Sequence, residues 1–182
     1  MTTITIPSAE QLADCYALEL SYGFENPSAE AEGFFLPGTV YSLYETIALN
    51  GYIREIRRDG ALAAYVLALP PGDARVSGLL NHVGMTVDPQ LKQMIVPDKT
   101  LWIAKIATTP AFKRQGMATA LYRKVFDDFP GATILTATAL SPKRNIVSED
   151  FHKAMDFKKC GTYAGTRADT GETTMNTVWI RR

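Results

Sequence analysis

The stretch TTPAFKRQGMATALYRKVF, residues 108–126, decides the fold because it leads from a predicted buried strand into a predicted helix. Its central part KRQGMATA, residues 113–120, places two cations and a glutamine before a glycine and several small side chains. The first turn of a helix presents backbone N–H groups without intrahelical partners and the positive end of the helix dipole. Gly116 lacks a Cβ, so an anion can approach those N–H groups closely. The stretch therefore predicts a phosphate-binding loop, with Lys113 and Arg114 adding positive charge at its entrance.

Two widespread phosphate motifs do not fit this loop. The P-loop needs a second glycine followed by Lys and Ser or Thr, and the dinucleotide-binding fingerprint needs three glycines. An ordinary helix start with a basic flank stays open as the alternative for so short a motif.

A second segment, NIVSEDFHKAMDF at residues 145–157, follows the next predicted buried strand. Helical periodicity predicts an apolar stripe that faces the core, formed by Val147, Phe151, Ala154 and Met155. The neighbouring stripe is small or polar and consists of Asn145, Ser148 and His152. Such a stripe at the edge of a core is suited to lining a cleft, and a solvated helix shoulder is the alternative.

Predicted strands alternate with predicted helices along the rest of the chain. Two strand-like runs flank Asp59-Gly60, a dipeptide typical of a tight hairpin turn. Ser8 is predicted to cap a first helix. Residues 73–99 have the least regular pattern, and a lid, a binding loop or an insertion with a packing role would all agree with it. The alternation favours an α/β sandwich with at least one parallel strand pair.

Length and composition exclude several classes of protein. The 182 residues favour a single domain over residues 1–182. Lys+Arg and Asp+Glu balance at 19 each, so no excess of positive charge indicates a nucleic-acid partner. The two cysteines have neither metal nor redox spacing, and we expect no metal site. Because the start lacks the features of a signal peptide and no apolar run could span a membrane, we expect a cytoplasmic protein without a membrane partner.

Together the two segments resemble the GNAT superfamily of acyl-CoA-dependent N-acetyltransferases. The phosphate loop of that family has the form Arg/Gln-x-x-Gly-x-Gly/Ala, and residues 113–118 have the form Lys-Arg-Gln-Gly-Met-Ala. Its later helix often has the form Asn-x-x-Ala-x-x-Phe-Tyr-x-x-x-Gly-Phe. The matching positions of this chain are Asn145, Ser148, Phe151, His152, Asp156 and Phe157. The resemblance covers residues 101–160, and two motifs at this separation are more specific than either alone.

The resemblance implies an α+β fold with a mixed, mostly antiparallel twisted sheet flanked by helices and a splayed central parallel strand pair that holds the cofactor. Residues 101–160 would form the acetyl-CoA-binding core, residues 1–100 mainly the acceptor side, and residues 161–182 the C-terminal strands. The pantetheine would pair with one strand end and the pyrophosphate would lie on the loop. The implied cofactor-binding residues are Ile106, Ala107, Thr108, Lys113, Arg114, Gln115, Gly116, Met117, Ala118, Thr119 and Asn145.

The implied activity is the transfer of an acetyl group from acetyl-CoA to a primary amine of a small molecule or a protein, by direct attack in a ternary complex. A backbone N–H near Ala107 or Thr108 would stabilise the oxyanion. His152 stands where many relatives have a tyrosine that protonates the leaving thiolate, so it is the predicted catalytic acid. Hydrogen bonding to coenzyme A or to solvent is the alternative role of His152. Asp156 replaces a glycine at the end of the helix, and we expect that turn to be built differently.

Several roles stay open in the sequence. No general base is assigned, since the strand LWIAKIATT contains no glutamate, and Glu55, Asp88 or a chain of waters could each serve. His82 is expected at the surface. An acyl-CoA-binding sensor or regulatory domain with little turnover is the alternative function. By analogy with the family, a homodimer could form through the last strands.

Overall fold

The computed structural model describes residues 3–25, 29, 33–36, 40–167 and 170–182. In chain order, its strands are β1 (Ile4–Thr5), β2 (Tyr52–Arg58), β3 (Ala61–Leu69), β4 (Met85–Val87), β5 (Thr100–Thr108), β6 (Thr133–Ser141), β7 (Lys158–Thr166) and β8 (Thr173–Arg181). The α-helices described are α1 (Ala9–Ser21), α2 (Tyr41–Asn50), α3 (Ala74–Leu80), α4 (Pro89–Lys92), α5 (Met117–Asp128) and α6 (Ile146–Ala154). None of these helices has the length and apolar character that crossing a membrane requires.

The strands named above form one sheet in the order β1-β2-β3-β5-β6-β8-β7-β4. Neighbouring strands are antiparallel except β5 and β6, which are parallel and are joined through α5. A parallel pair needs such a crossover connection, and here a helix supplies it. The predicted mixed, mostly antiparallel sheet with helices and a central parallel pair is confirmed.

The parallel pair is short, and the two strands then separate. β5 and β6 pair from Thr100 with Thr133 to Ile103 with Thr136. Beyond that point β5 stays paired with β3 as far as Thr108, while β6 stays paired with β8. The predicted splay of the central pair is therefore present.

Two apolar cores cover the two faces of the sheet. Alternate side chains of a strand point to opposite faces, and in β3 Tyr65 packs into one core while Val66 packs into the other. The first core includes buried residues of α1 and α2, such as Cys15 and Ile47. The second includes the buried face of α5, such as Leu121. The sheet is thus the middle layer, with α1 and α2 on one side and α5 on the other.

Local signals in the first half of the chain predicted the structure well. Asp59 and Gly60 have φ of 50° and 80°, as the tight turn between β2 and β3 requires. Ser8 caps α1, and its side chain and that of Gln11 form a reciprocal capping box. Both predictions are confirmed.

The segment 73–99 contains more regular structure than its pattern predicted. β4 pairs with β7 at the edge of the sheet, from Met85 opposite Tyr163 to Val87 opposite Gly161. The run PQLKQMI in this segment predicts a short helix, and α4 lies there. β4 extends the sheet by one strand, so at least this part of the segment has a packing role.

The C-terminal strands are built as a hairpin, and β8 lies inside the sheet between β6 and β7. Both backbone edges of β8 are therefore paired, and it offers no free edge to a second copy. The homodimer through the last strands stays a prediction. The polar run before the last strand predicts a turn that contains Asp169, and this residue lies outside the described residues.

Candidate functional site

A cleft of about 790 Å³ opens where β5 and β6 separate. The separation begins at Ala104, an extra residue in β5, because Ala68 pairs with Ile103 and Leu67 with Lys105. A bulge bends its strand and re-aims the following side chains. It points Lys105 to the sheet face that α1 covers, where its Nζ contacts Glu19. The bulge thus helps to open the cleft and places a cation on its wall.

The predicted phosphate-binding loop lies on the wall of this cleft. Gly116 is the N-cap of α5 with φ of 77°, and no side chain caps that helix end. The hydrogen-bond ladder of α5 begins with Ala120 N–H donating to Gly116 C=O at 2.9 Å, so the N–H groups of residues 117–119 have no acceptor within the helix. A Cβ built on Gly116 would meet no atom within 4 Å. The loop therefore offers backbone donors and open space, and this fits the pyrophosphate of an acyl-CoA.

Two cations line the cleft beside this helix start. Arg114 adopts the left-handed conformation, with φ of 60°, and the Nζ of Lys113 lies 4.8 Å from the centroid of the Tyr22 ring. Gln115 does not line the cleft, and its Nε2 donates to Ala111 C=O at 3.1 Å. Gln115 thus braces the loop. The cleft brings together every other residue predicted to bind the cofactor.

The end of β5 presents alternate backbone groups to the cleft. Thr109 N–H donates to Ala63 C=O in β3 at 2.8 Å. Because backbone groups alternate in direction along a strand, the N–H and C=O of Thr108 and Ile106 point away from β3, toward the opening. The Tyr22 hydroxyl donates to Thr108 C=O at 2.6 Å, in agreement with this direction. The alternation leaves the N–H of Ile106 and Thr108, rather than that of Ala107, as donors facing the cleft.

His152 borders the cleft but is almost entirely buried, with 1% of its surface exposed. Its Nδ1 lies 2.5 Å from Ser148 C=O, and a carbonyl can only accept, so Nδ1 carries the proton. Nε2 therefore accepts the hydrogen bond from the Tyr122 hydroxyl at 2.7 Å. Burial lowers the pKa of the imidazole from 6.5 to about 4. At neutral pH the ring is neutral with both nitrogens engaged, an arrangement that disfavours the predicted role of proton donor.

The buried face of α6 differs from the predicted stripe. Glu149 and His152 are buried, whereas Val147 is 40% exposed and Ala154 is exposed. The prediction that Val147 and Ala154 face the core was therefore wrong. The polar residues tolerate burial because each has partners, and both carboxylate oxygens of Glu149 accept from Arg144 at 2.7–2.8 Å.

The end of α6 keeps the geometry that a glycine would give. Asp156 adopts φ of 65°, Phe157 N–H donates to His152 C=O at 3.0 Å, and Asp156 N–H donates to Lys153 C=O at 3.1 Å. These two bonds define a Schellman motif. The expectation that Asp156 changes this turn was wrong, because aspartate tolerates the left-handed conformation.

Asn145 lies at the N-cap of α6 and uses both ends of its side chain within the protein. Its Oδ1 accepts from Ser148 N–H at 3.1 Å, and its Nδ2 donates to Phe34 C=O at 3.0 Å. Asn145 is predicted to bind the cofactor, and it does line the cleft. Both ends of the Asn145 amide group therefore already have partners within the protein.

The residues considered as general bases lie away from the cleft. Glu55 is buried and pairs with Arg57, and Asp88 caps α4. His82 is exposed and its Nδ1 accepts from Gly84 N–H at 3.0 Å. Within the described residues, no group of three or more His, Cys, Asp and Glu side chains could hold a metal ion.

Sequence reasoning missed a buried polar network next to the cleft. Lys105 donates to Glu19 Oε1 at 2.9 Å, and the Tyr44 hydroxyl donates to Glu19 Oε2 and contacts the Tyr65 hydroxyl at 2.6 Å. Glu19 is 4% exposed, and Lys105 lines the cleft. Burial raises the pKa of Tyr44 far above its usual range, so its hydroxyl stays protonated and acts as a donor.

A sequence signal for this network does exist. Glu19 follows Cys15 by four residues and Leu12 by seven, which places it on the buried face of α1. Lys105 is the only charged residue of β5. A glutamate and a lysine that each interrupt an apolar face are a reason to expect a buried ion pair.

Comparison with known proteins identifies the family. The sequence matches the model of the acetyltransferase (GNAT) family over residues 25–157. No curated protein matches the chain.

Several solved structures share the fold at low sequence identity. Ard1 from Thermoplasma volcanium has a TM-score of 0.67 and 11% identity, with 99% of this chain and 96% of that chain covered. Arabidopsis thaliana NAA60 in complex with acetyl-CoA has a TM-score of 0.66 and 12% identity, with 100% and 98% covered. The ribosomal-protein-S18-alanine N-acetyltransferase from Escherichia coli has a TM-score of 0.59 and 16% identity, with 99% and 92% covered.

The region matched by the family model contains the separating strands, the helix start at Gly116 and the helix α6, which together build the cleft. The match covers well over half of the chain, and the chain belongs to the acetyltransferase (GNAT) family.

Proposed function

We propose that this acetyltransferase moves an acetyl group from acetyl-CoA to a primary amine of a small molecule or a protein, by direct attack of the amine in a ternary complex. The observation that carries the proposal is the uncapped start of α5 at Gly116, which faces the cleft between β5 and β6. Acetyl-CoA would supply an activated thioester.

The residues of the loop and of β5 would hold the donor. The pyrophosphate would accept hydrogen bonds from the N–H groups of residues 116–119, with Lys113 and Arg114 adding positive charge. The N–H groups of Ile106 and Thr108 would donate to carbonyl oxygens of the donor, and one of them would stabilise negative charge that develops on the thioester oxygen.

The acceptor would enter from the side of α1, where the described wall is largely apolar. The lining residues there include Tyr22, Phe35, Leu79 and Tyr163, with Lys105 beside them. Such a wall favours an amine attached to an apolar or aromatic group over a polycation. This preference concerns the group that carries the amine, and both a small molecule and a protein can provide it.

In this proposal His152 positions the cleft wall and does not transfer a proton. Its neutral ring bonds to Ser148 C=O and the Tyr122 hydroxyl, so it fixes α6 against α5. Ser148 and Phe151 line the cleft on the same helix, and their placement depends on that contact.

An acyl-CoA sensor with little turnover is the second candidate, and one observation favours it. Among the described residues that line the cleft, Asp150 is the only acidic side chain, so a general base is not evident. A sensor would bind acetyl-CoA as well as an enzyme does but would release no coenzyme A in the presence of amines.

The test is calorimetric titration with acetyl-CoA of the wild type, of Gly116→Trp and of Gly131→Trp. Gly131 is a matched control, because its φ is 78°, it has no atom within 4 Å of an added Cβ, and it does not line the cleft. We expect binding by the wild type and Gly131→Trp, and loss of binding by Gly116→Trp.

An amine panel with a thiol-release assay then separates the two candidates. Acetyl-dependent release of coenzyme A with any amine supports the transferase, whereas binding without release across the panel supports the sensor. If the wild type does not bind acetyl-CoA, the proposal is wrong.

A further inference from the structure

Residues 33–36, here called the bridging segment, are attached through Phe35 to the C-terminal end of α1. Phe35 N–H donates to Tyr22 C=O at 3.0 Å, and Phe35 forms a parallel β-bridge with Gly23. The Tyr22 and Phe35 rings meet edge to face with centroids 6.4 Å apart. The Nζ of Lys105 lies 4.9 Å from the centroid of Phe35. Phe35 therefore belongs to the acceptor side of the cleft.

The preceding residue of the bridging segment, Phe34, is held by Asn145. The side-chain Nδ2 of Asn145 donates to Phe34 C=O at 3.0 Å. The backbone N–H of Asn145 donates to Ala139 C=O in β6 at 2.9 Å. The Phe34 ring packs in a small buried cluster with Phe24 and Ala139. Asn145 is 7% exposed, so its bond to Phe34 is shielded from water.

Through these contacts the segment is attached to both of the strands that separate, β5 and β6. Tyr22 connects it to β5, because the Tyr22 hydroxyl donates to Thr108 C=O. Asn145 connects it to β6 and to the start of α6. The bridging segment thus links β5, which would hold the donor, to α6 on the opposite wall. On the α6 side the link is the hydrogen bond from the Asn145 side chain.

The orientation of the Asn145 amide is fixed by its partners. Phe34 C=O can only accept, so the NH₂ group must face it, and Ser148 N–H can only donate, so the amide oxygen must face that group. Glutamine has the same amide group but a longer side chain. The Asn145 amide thus satisfies two protein groups at once.

We propose that Asn145 is a positioning residue for the acceptor, which holds the bridging segment and through it the Phe35 ring on the acceptor wall. The inference rests on the proposed function, since it assigns Asn145 to acceptor binding in that reaction. It differs from the sequence prediction, in which Asn145 binds the cofactor.

The test compares the wild type with Asn145→Ser, because serine is also a good N-cap residue but is too short to reach Phe34. We expect the Phe35 amide proton to exchange about tenfold faster in the variant, as about 1.4 kcal/mol of local stability is lost. Amide protons in β5 should exchange at unchanged rates. With the best amine of the panel, KM for the amine should rise about tenfold, while the calorimetric Kd for acetyl-CoA stays within about twofold.

Asn145→Asp serves as a second variant. It keeps the oxygen that caps α6 and replaces the donor with a carboxylate oxygen that faces Phe34 C=O. We expect it to loosen the bridging segment at least as much as serine does. A merely structural role would lower Tm and change the acetyl-CoA and amine constants together.

Other outcomes overturn the inference. Unchanged exchange at Phe35 in both variants would show that Asn145 does not hold the segment. Faster exchange with an unchanged KM for the amine would show that the segment does not position the acceptor. A raised Kd for acetyl-CoA with an unchanged KM for the amine would return Asn145 to the cofactor. If the wild type turns over no amine, the proposed function fails, and the exchange data still decide whether Asn145 holds the segment.

Discussion

The Tyr122 hydroxyl donates a hydrogen bond to Nε2 of His152 at 2.7 Å, inside the core between α5 and α6. Tyr122 has no exposed surface and His152 has 1%. Because Nδ1 donates to Ser148 C=O, the bond from Tyr122 occupies the remaining lone pair of the ring. The contact therefore fixes one neutral tautomer of the histidine that the family resemblance predicts as the catalytic acid.

The first prediction concerns the pH dependence of stability. The pKa of His152 is lowered from 6.5 to about 4 in the folded protein, so the unfolded chain binds more protons between these values. Stability then falls as the pH is lowered through that window, by about 3 kcal/mol in total from this one group. We expect urea unfolding at pH 7.0, 5.5 and 4.5 to show a smaller loss of stability in His152→Gln than in the wild type.

His82→Gln is the matched control, since His82 is exposed and is the second of the two histidines. This variant should follow the pH profile of the wild type. Equal slopes for the wild type and His152→Gln would contradict the buried neutral histidine.

The second prediction concerns the other partner of this contact. Tyr122→Phe keeps the ring contacts but leaves Nε2 of His152 buried without a donor, and this should lower the free energy of unfolding by about 1–3 kcal/mol. Tyr52→Phe is the control, because its hydroxyl donates to the partly exposed Asp128, and it should cost less. A loss as small as that of Tyr52→Phe would show that the Tyr122–His152 bond contributes little.

Local signals explain why part of the site could be predicted from the sequence. The helix start at Gly116 needs only a glycine, a basic flank and a following helix, and all three are neighbours in the chain. The hairpin turn at Asp59-Gly60 is equally local. The strand splay came from the family resemblance, since nothing local in LWIAKIATT predicts a bulge at Ala104.

Non-local pairing explains what could not be predicted. Periodicity assigned the apolar residues of α6 to the core, but the partners of Glu149 and His152 allow these polar residues to be buried instead. Tyr122 is 30 positions from His152, and no spacing rule connects it to α6. For the same reason the contact between Asn145 and Phe34, which are 111 positions apart, is visible only in the structure.

The third prediction concerns the ion pair between Glu19 and Lys105, whose side chains are 5% and 15% exposed. Removing one partner leaves the other charge buried, so Glu19→Gln and Lys105→Met should each lower stability by about 3 kcal/mol. The double variant should cost clearly less than the sum, which urea unfolding of all four proteins would measure as a coupling energy.

Lys124→Met is the control for this cycle. It removes a surface partner of Asp128 that is 38% exposed, and it should cost less than about 1 kcal/mol. Additive effects of Glu19→Gln and Lys105→Met would show that the two groups do not stabilise each other.

The fourth prediction concerns Asp156, which ends α6 in the left-handed conformation with φ of 65°. This conformation costs an L-residue about 1–2 kcal/mol, less for aspartate, whereas glycine adopts it freely but loses more entropy on folding. Asp156→Gly should therefore stabilise the protein by about 0.5–1 kcal/mol in thermal or urea unfolding. Asp156→Ala keeps the strained φ and loses the polar side chain that tolerates it, so it should destabilise the protein. Both variants test the same Schellman turn, because Phe157 and Asp156 donate their N–H groups to carbonyls of α6. A loss of stability in Asp156→Gly would mean that the Asp156 carboxylate stabilises the turn by more than the left-handed backbone of this residue costs.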